Sequence, residues 1–247
     1  QVRSNGNFSV IEWAIGDSGD ASANTIGHGL NSPPSLVITK NIDADNDWSV
    51  FHSSLTNNGD GAFINLQTAG VEAVVDTYVH DSSIFGMRSG RLAVGPLISY
   101  AWAQTEGVSS FGKYTGTGTA YDTPKFLVDC GFEPVFVMIK NITAGTDWCM
   151  YDDKRLADNP GAERLNANDS SEGYSATDDV WVEFASNGFK IGSNNTGINT
   201  QGNEYIYAAF AGSNPVEVVD VDVAANTMTV DGGDWYNWNQ SEEWSSN

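Results

Sequence analysis

The chain has 247 residues with 32 acidic and 11 basic side chains, a formal net charge of −21, and 8 Trp, 9 Tyr and 11 Phe against 17% charged residues. That field repels nucleic acid and anionic membranes, and the aromatic content excludes a disordered tail. Two cysteines are too few for a disulfide framework, no Cys-x-x-Cys zinc pattern exists, and no apolar run approaches the roughly 18 residues of a membrane-spanning helix.

In chain order, the first strong signal is Val37–Lys40, a β-branched strand. Asp43–Asp47 is a turn, and Trp48–Phe51 is the returning strand, giving a hairpin with a connection of about five residues. Strands follow near Ile84–Met87 and Leu97–Trp102. The pattern then repeats. Residues 36–51 read LVITKNIDADNDWSVF and residues 136–151 read FVMIKNITAGTDWCMY, identical at seven of sixteen positions, among them Lys40/Lys140, Asn41/Asn141, Asp47/Asp147 and Trp48/Trp148. Pro34 and Pro134 precede the apolar runs, and strands near Phe189–Ile191 and Tyr205–Phe210 answer those of the first copy. An identical Asp-Trp pair at matched places predicts that Trp48 and Trp148 are equivalent and largely buried.

Pro215 ends the second copy. Val216–Val223 alternates, Ala224–Asn226 turns, and Thr227–Val230 returns, which predicts a hairpin. The expected fold is therefore all-β: a β-sandwich module over 1–104, a second copy over 105–212, and a C-terminal hairpin segment over 213–247.

The residues that could carry chemistry do not recur between the copies. His28 faces Cys130 and His52 faces Asp152, so no module-wide histidine chemistry is predicted. Both cysteines occur in copy two only, opposite His28 and Ser49, and are expected as free thiols. Asp43, Asp45 and Asp47 have calcium-loop spacing, but Trp48 stands where an EF-hand needs glycine and Ser54 where it needs glutamate, so no metal and no other cofactor is expected. There is no nucleophile elbow or phosphate loop, and no catalytic residue is assigned. The run Trp235, Tyr236, Trp238 and Trp244, set among amides and carboxylates, is the candidate binding surface, since sugar rings stack on aromatic faces.

Gly27-His-Gly-Leu30, Trp48-Ser-Val-Phe-His-Ser-Ser-Leu55, Tyr100-Ala-Trp-Ala103 and Glu106-Gly-Val-Ser-Ser-Phe-Gly-Lys-Tyr-Thr-Gly-Thr-Gly118 together resemble a duplicated β-module of predicted tail and virion structural proteins of marine phages, cyanophages among them. Gly131–Lys140 and Ser186–Lys190 fit the same family, and the resemblance spans residues 8 to 211. It implies a non-enzymatic virion component, located in the tail or on the outer particle surface. The expected partners are other virion proteins and a host-surface glycan or protein. Fibre analogy adds a homo-oligomer, a trimer. Capsid decoration and a fibre-borne polysaccharide-degrading enzyme are the alternatives. Since the chain starts at Gln1, a longer or trimmed polypeptide is also expected.

Overall fold

The computed structural model describes residues 1–56, 62–74, 78–119, 126–155, 163–171, 173 and 182–212, together with three strands of the C-terminal segment. Among these residues there is no α-helix, and strands dominate. The contacts divide the chain into two compact units, Gln1–Gly212 and Ser213–Asn247.

Copy one contributes β1 (Val2–Ser4), β2 (Phe8–Ile15), β3 (Thr25–Gly27), β4 (Pro34–Asn41) and β5 (Ser49–His52). It continues with β6 (Ala62–Asn65), β7 (Ala73–Val74), β8 (Tyr78–His80), β9 (Ile84–Met87) and β10 (Gly95–Ala103). Copy two contributes β11 (Ser109–Thr115), β12 (Phe126–Asp129), β13 (Pro134–Asn141) and β14 (Trp148–Asp152). Then come β15 (Leu165–Asn166), β16 (Val182–Ala185), β17 (Gly188–Ile191) and β18 (Glu204–Ala211).

The two copies have one topology. The large sheet of copy two runs β11-β18-β13-β14-β15, and copy one repeats this order as β2-β10-β4-β5-β6, with β1 and β7 added at its edges. The small sheets match as well, β3-β9-β8 against β12-β17-β16. Even irregularities recur. The ladder slips one residue after the opening proline in both copies, leaving Ser35 and Val135 unpaired against the neighbouring strand. Gly29 and Gly131 hold positive φ (+69° and +80°) in the matching turns, a conformation that favours glycine.

Each copy is a sandwich of its large and small sheets, and the two large sheets also pack on each other. Three cores result. Odd-numbered Val37 and Phe51 face the small sheet of copy one, beside Phe85 and Met87. Odd-numbered Val137, Cys149 and Tyr205 face the small sheet of copy two, beside Phe184 and Phe189. Their even-numbered neighbours Leu36 and Val50, and Met138, Trp148, Ile206 and Ala208, meet in a third core between the copies. A sheet buried on both faces loses the usual alternation of buried and exposed positions, and β4, β5, β13 and β18 accordingly have hardly an exposed residue among them. Hydrogen bonds distant in sequence tie the copies together, among them Trp148 Nε1 to the Asn65 carbonyl (2.8 Å), Lys140 Nζ to the Ala69 carbonyl (3.3 Å) and His52 Nε2 to the Tyr207 carbonyl (3.0 Å).

The matched hairpins explain the shared Lys-Asn…Asp-Trp signature. The Lys40 and Lys140 ammonium groups donate to the carbonyls of residues 46 and 146 inside the loop. The amides of Asn41 and Asn141 donate to the carbonyls of Ala93 and Thr196, and their Oδ1 atoms accept the N–H of residues 43 and 143. Asp47 and Asp147 accept from Asn65 (2.9 Å) and Asn166 (3.1 Å) on the next strand. The N–H groups of Trp48 and Trp148 donate to the side chains of Gln67 and Asn168. Side chains thus hold the tip, so the strands stop short of the expected five-residue turn and the loops run over 42–48 and 142–147.

The two tryptophans are equivalent in position, but they are not equally buried. Trp148 is 2% exposed within the inter-copy core, whereas Trp48 is only half-buried. Copy one's segment Asn65–Ala69 covers the tip of copy two, while the copy-two counterpart, residues 166–169, leaves Trp48 partly open. The Asp-Trp pair is the same at both places; the difference arises from the offset between the sheets.

The C-terminal unit contains β19 (Val218–Asp222), β20 (Thr227–Val230) and β21 (Trp235–Asn237). β19 and β20 form the expected hairpin, and β21 pairs with β20 as a third antiparallel strand. A third strand supplies pairing that an isolated hairpin lacks in water.

Replacing Trp148 by Ala removes a buried indole and leaves the Asn65 carbonyl without its donor. It is expected to cost about 3–5 kcal/mol. Trp48→Ala is expected to cost roughly 1 kcal/mol or less. Denaturant unfolding of the two variants measures both, and equal losses would contradict the unequal packing.

Candidate functional site

Among the described residues, His28, His52 and the two cysteines are engaged within the fold. The His28 ring is buried, accepts the Leu30 N–H at Nδ1 (3.0 Å) and bonds the Asp81 carbonyl through Nε2 (3.2 Å). His52 repeats this device: Nδ1 accepts the Ser54 N–H (3.1 Å), which leaves Nε2–H to donate to Tyr207. Burial pushes its pKa down to about 4, against the favourable carbonyl contact, and holds the ring neutral at pH 7. His80 lies edge-on to Phe51 with ring centroids 4.6 Å apart. Cys130 and Cys149 are free thiols, both pushed up to about 11 chiefly by burial, far from a reactive thiolate. Asp43 and Asp45 lie exposed on the hairpin loop, and Asp47 accepts from Asn65. Among the described residues, no three His, Cys, Asp or Glu side chains gather around a metal-sized space. Of the sequence-derived candidates, Trp235 and Tyr236 lie on β21, while Trp238 and Trp244 lie outside the described residues.

The structure brings out a different pair of places. Each copy has a cleft at the end of its large sheet, between the hairpin loop and the segment that leads into the last strand. In copy one it has a volume of about 390 Å³ and is lined by Asn46, Asp17 and residues 89–94, Arg91 among them. In copy two it has a volume of about 290 Å³ and is lined by Thr146, Asp147, Cys149, Arg164 and residues 195–197, with Ala69 from copy one.

Both clefts contain one guanidinium beside the side chain at the start of the returning strand, and the two arginines come from different positions. Arg91 donates through Nε to Ser49 Oγ (3.1 Å) and stacks over the Phe63 ring at 3.8 Å. Ser49 in turn bonds the buried Tyr78 hydroxyl. In copy two the strand register sets Arg164 opposite Phe63 in the repeat, since Ile64 pairs with Val50 as Leu165 pairs with Met150. Arg164 reaches Cys149, the counterpart of Ser49, and contacts Asn195 Oδ1 at 3.4 Å. Aligning the repeat conceals this, because neither arginine has an arginine opposite it. A guanidinium fork in a polar cleft suits a carboxylate, sulfate or sugar hydroxyl.

The family described as Domain of unknown function (DUF7483) matches residues 2–215, through both copies and to within a few residues of the boundary after Gly212. No curated protein and no solved structure matches the chain.

Because His52 titrates lower when folded than its ordinary value of about 6.5, the unfolded chain binds the proton first as pH falls. Stability is therefore full above about pH 6.5 and is lost as pH falls toward 4, by an amount on the order of 3 kcal/mol. The carboxylates held low by hydrogen bonds, such as Asp81 and Asp20, act only at lower pH. Urea midpoints at pH 7 and pH 4.5 should differ for the native chain and differ much less for His52→Gln; an unchanged pH slope in that variant would exclude His52 as the source.

Proposed function

We propose that this chain, which belongs to the DUF7483 family, is a non-catalytic structural and adhesion component of a phage particle, in a tail fibre or surface fibre. In this reading it self-assembles with other virion proteins and binds a host-surface glycan or protein. One observation carries the non-catalytic part. The two copies keep the residues that build the hairpin, while the residues able to do chemistry differ between them: His28 against Cys130, His52 against Asp152, Ser49 against Cys149. A duplicated scaffold under selection for architecture has this pattern.

The adhesion part draws on the two guanidinium clefts, which suit acidic or hydroxyl-rich sugars, and on the aromatic C-terminal segment. The phage part draws on the sequence resemblance alone. The strongly acidic surface suits a crowded assembly that must stay soluble.

Immunogold labelling of intact particles with antibody to this chain is expected to mark the tail or a surface fibre. Capsid labelling would favour a decoration protein, and unlabelled particles would remove the virion reading. Purified chain is expected to bind host cells, with binding reduced several-fold by Arg91→Ala combined with Arg164→Ala or by removal of residues 213–247. Host polysaccharide incubated with the chain should keep its size distribution; shortened products would identify an enzyme instead.

A further inference from the structure

Among the described residues of the Gln1–Gly212 unit, the offset between the two large sheets leaves half of copy one's outer face without a partner. We propose that this half-face is a self-association surface, packed in the assembled protein against the same surface of a second copy of this chain. Its apolar part consists of Val10 on β2, Ile42 and Trp48 at the hairpin, and Ile98 and Tyr100 on β10, with Glu12 and Lys40 on either side of Ile98. The ladder places these on one face: Tyr100 pairs with Val10, and Ile98 and Lys40 are paired beside Trp48. Ile42 is 54% exposed, and the other four are half-buried.

Copy two shows what such a face requires. Strand register makes Phe111 the counterpart of Val10, and Ile206 and Ala208 the counterparts of Ile98 and Tyr100. The repeat makes Ile142 and Trp148 the counterparts of Ile42 and Trp48. All five copy-two residues are at most 9% exposed, and all belong to the core between the copies. The surface that covers them is the large sheet of a module of this same family. The open copy-one face is continuous with that core, because its strands β4, β5 and β10 also supply Leu36, Val50 and Trp102 to it. A two-fold axis through the open face would set Ile42, Trp48 and Tyr100 of each chain against those of the other, a self-complementary contact of the commonest kind. The net charge of −21 opposes pairing, so salt should strengthen it.

This rests on the self-assembly part of the proposed function and is independent of its adhesion part. The test needs only the isolated full chain. Its mass by light scattering and sedimentation is expected to be twice the 26.5 kDa of the monomer, with dissociation on dilution that becomes weaker as salt is raised. Ile42→Glu combined with Tyr100→Glu should weaken self-association by at least about tenfold while leaving the unfolding midpoint within a small shift, since both side chains reach solvent. Trp48→Gln, a milder change, should weaken it in the same direction. A monomer at every concentration and salt overturns the proposal. So does an oligomer that both variants leave intact, which would place the contact elsewhere, for instance in the C-terminal segment. A monomer in which oligosaccharide protects Trp48 from oxidation would make the face a sugar platform, and would equally overturn it.

Discussion

The third core, between the large sheets, is the constraint from which most of the molecule follows. A sheet covered on one side needs apolar residues at alternate positions; one covered on both sides needs them almost everywhere. β13 and β18 meet that demand with residues such as Met138, Ile139, Ile206 and Tyr207 pointing to opposite cores. A hydrophobic contact of this extent tolerates few polar interruptions, and three of them, the Trp148 indole, the Lys140 ammonium and the His52 ring, end on backbone carbonyls of the other copy. Lys140 is fully buried with carbonyl oxygens as its hydrogen-bond partners, and burial pushes it down to about 8.

The hairpin tips solve a second problem. A loop at the end of a doubly covered sheet exposes backbone groups where the ladder stops, close to apolar surroundings. The shared lysine, asparagine and aspartate supply donors and acceptors at these places, from the strands on either side. Each such bond is worth on the order of 1 kcal/mol net, and losing one partner inside the fold costs more than that. This accounts for identity between the copies at positions that are neither apolar nor catalytic.

Much of this was legible in the sequence. The strands at Ile84–Met87 and Tyr205–Phe210 lie where short apolar runs between turn residues put them, and the repeat led directly to two modules of one topology. The C-terminal hairpin is readable from its alternation, whereas its third strand, Trp235–Asn237, has no alternating pattern to mark it. Two things stayed hidden for a physical reason. The unequal burial of Trp48 and Trp148 depends on how one sheet is shifted over another, and the shared Asp-Trp pair contains no trace of that shift. The paired guanidinium clefts leave no mark in the repeat, because Arg91 and Arg164 approach equivalent points from different segments and each has a non-arginine as its counterpart.

The strand order has a further consequence for how the chain acquires its structure during synthesis. In each large sheet the last strand made, β10 or β18, is inserted between two made earlier, β2 and β4 or β11 and β13. Neither sheet can close while its final strand is still within the ribosome, and these contacts span 56 to 101 residues of chain, from Leu97 against Asn41 to Phe210 against Ser109. Copy one, once closed, still presents Leu36, Val50 and Ile64 to water until β18 completes copy two. A nascent chain thus passes through an interval with a finished module and an uncovered apolar sheet, the kind of species that chaperones hold and that aggregates when they do not.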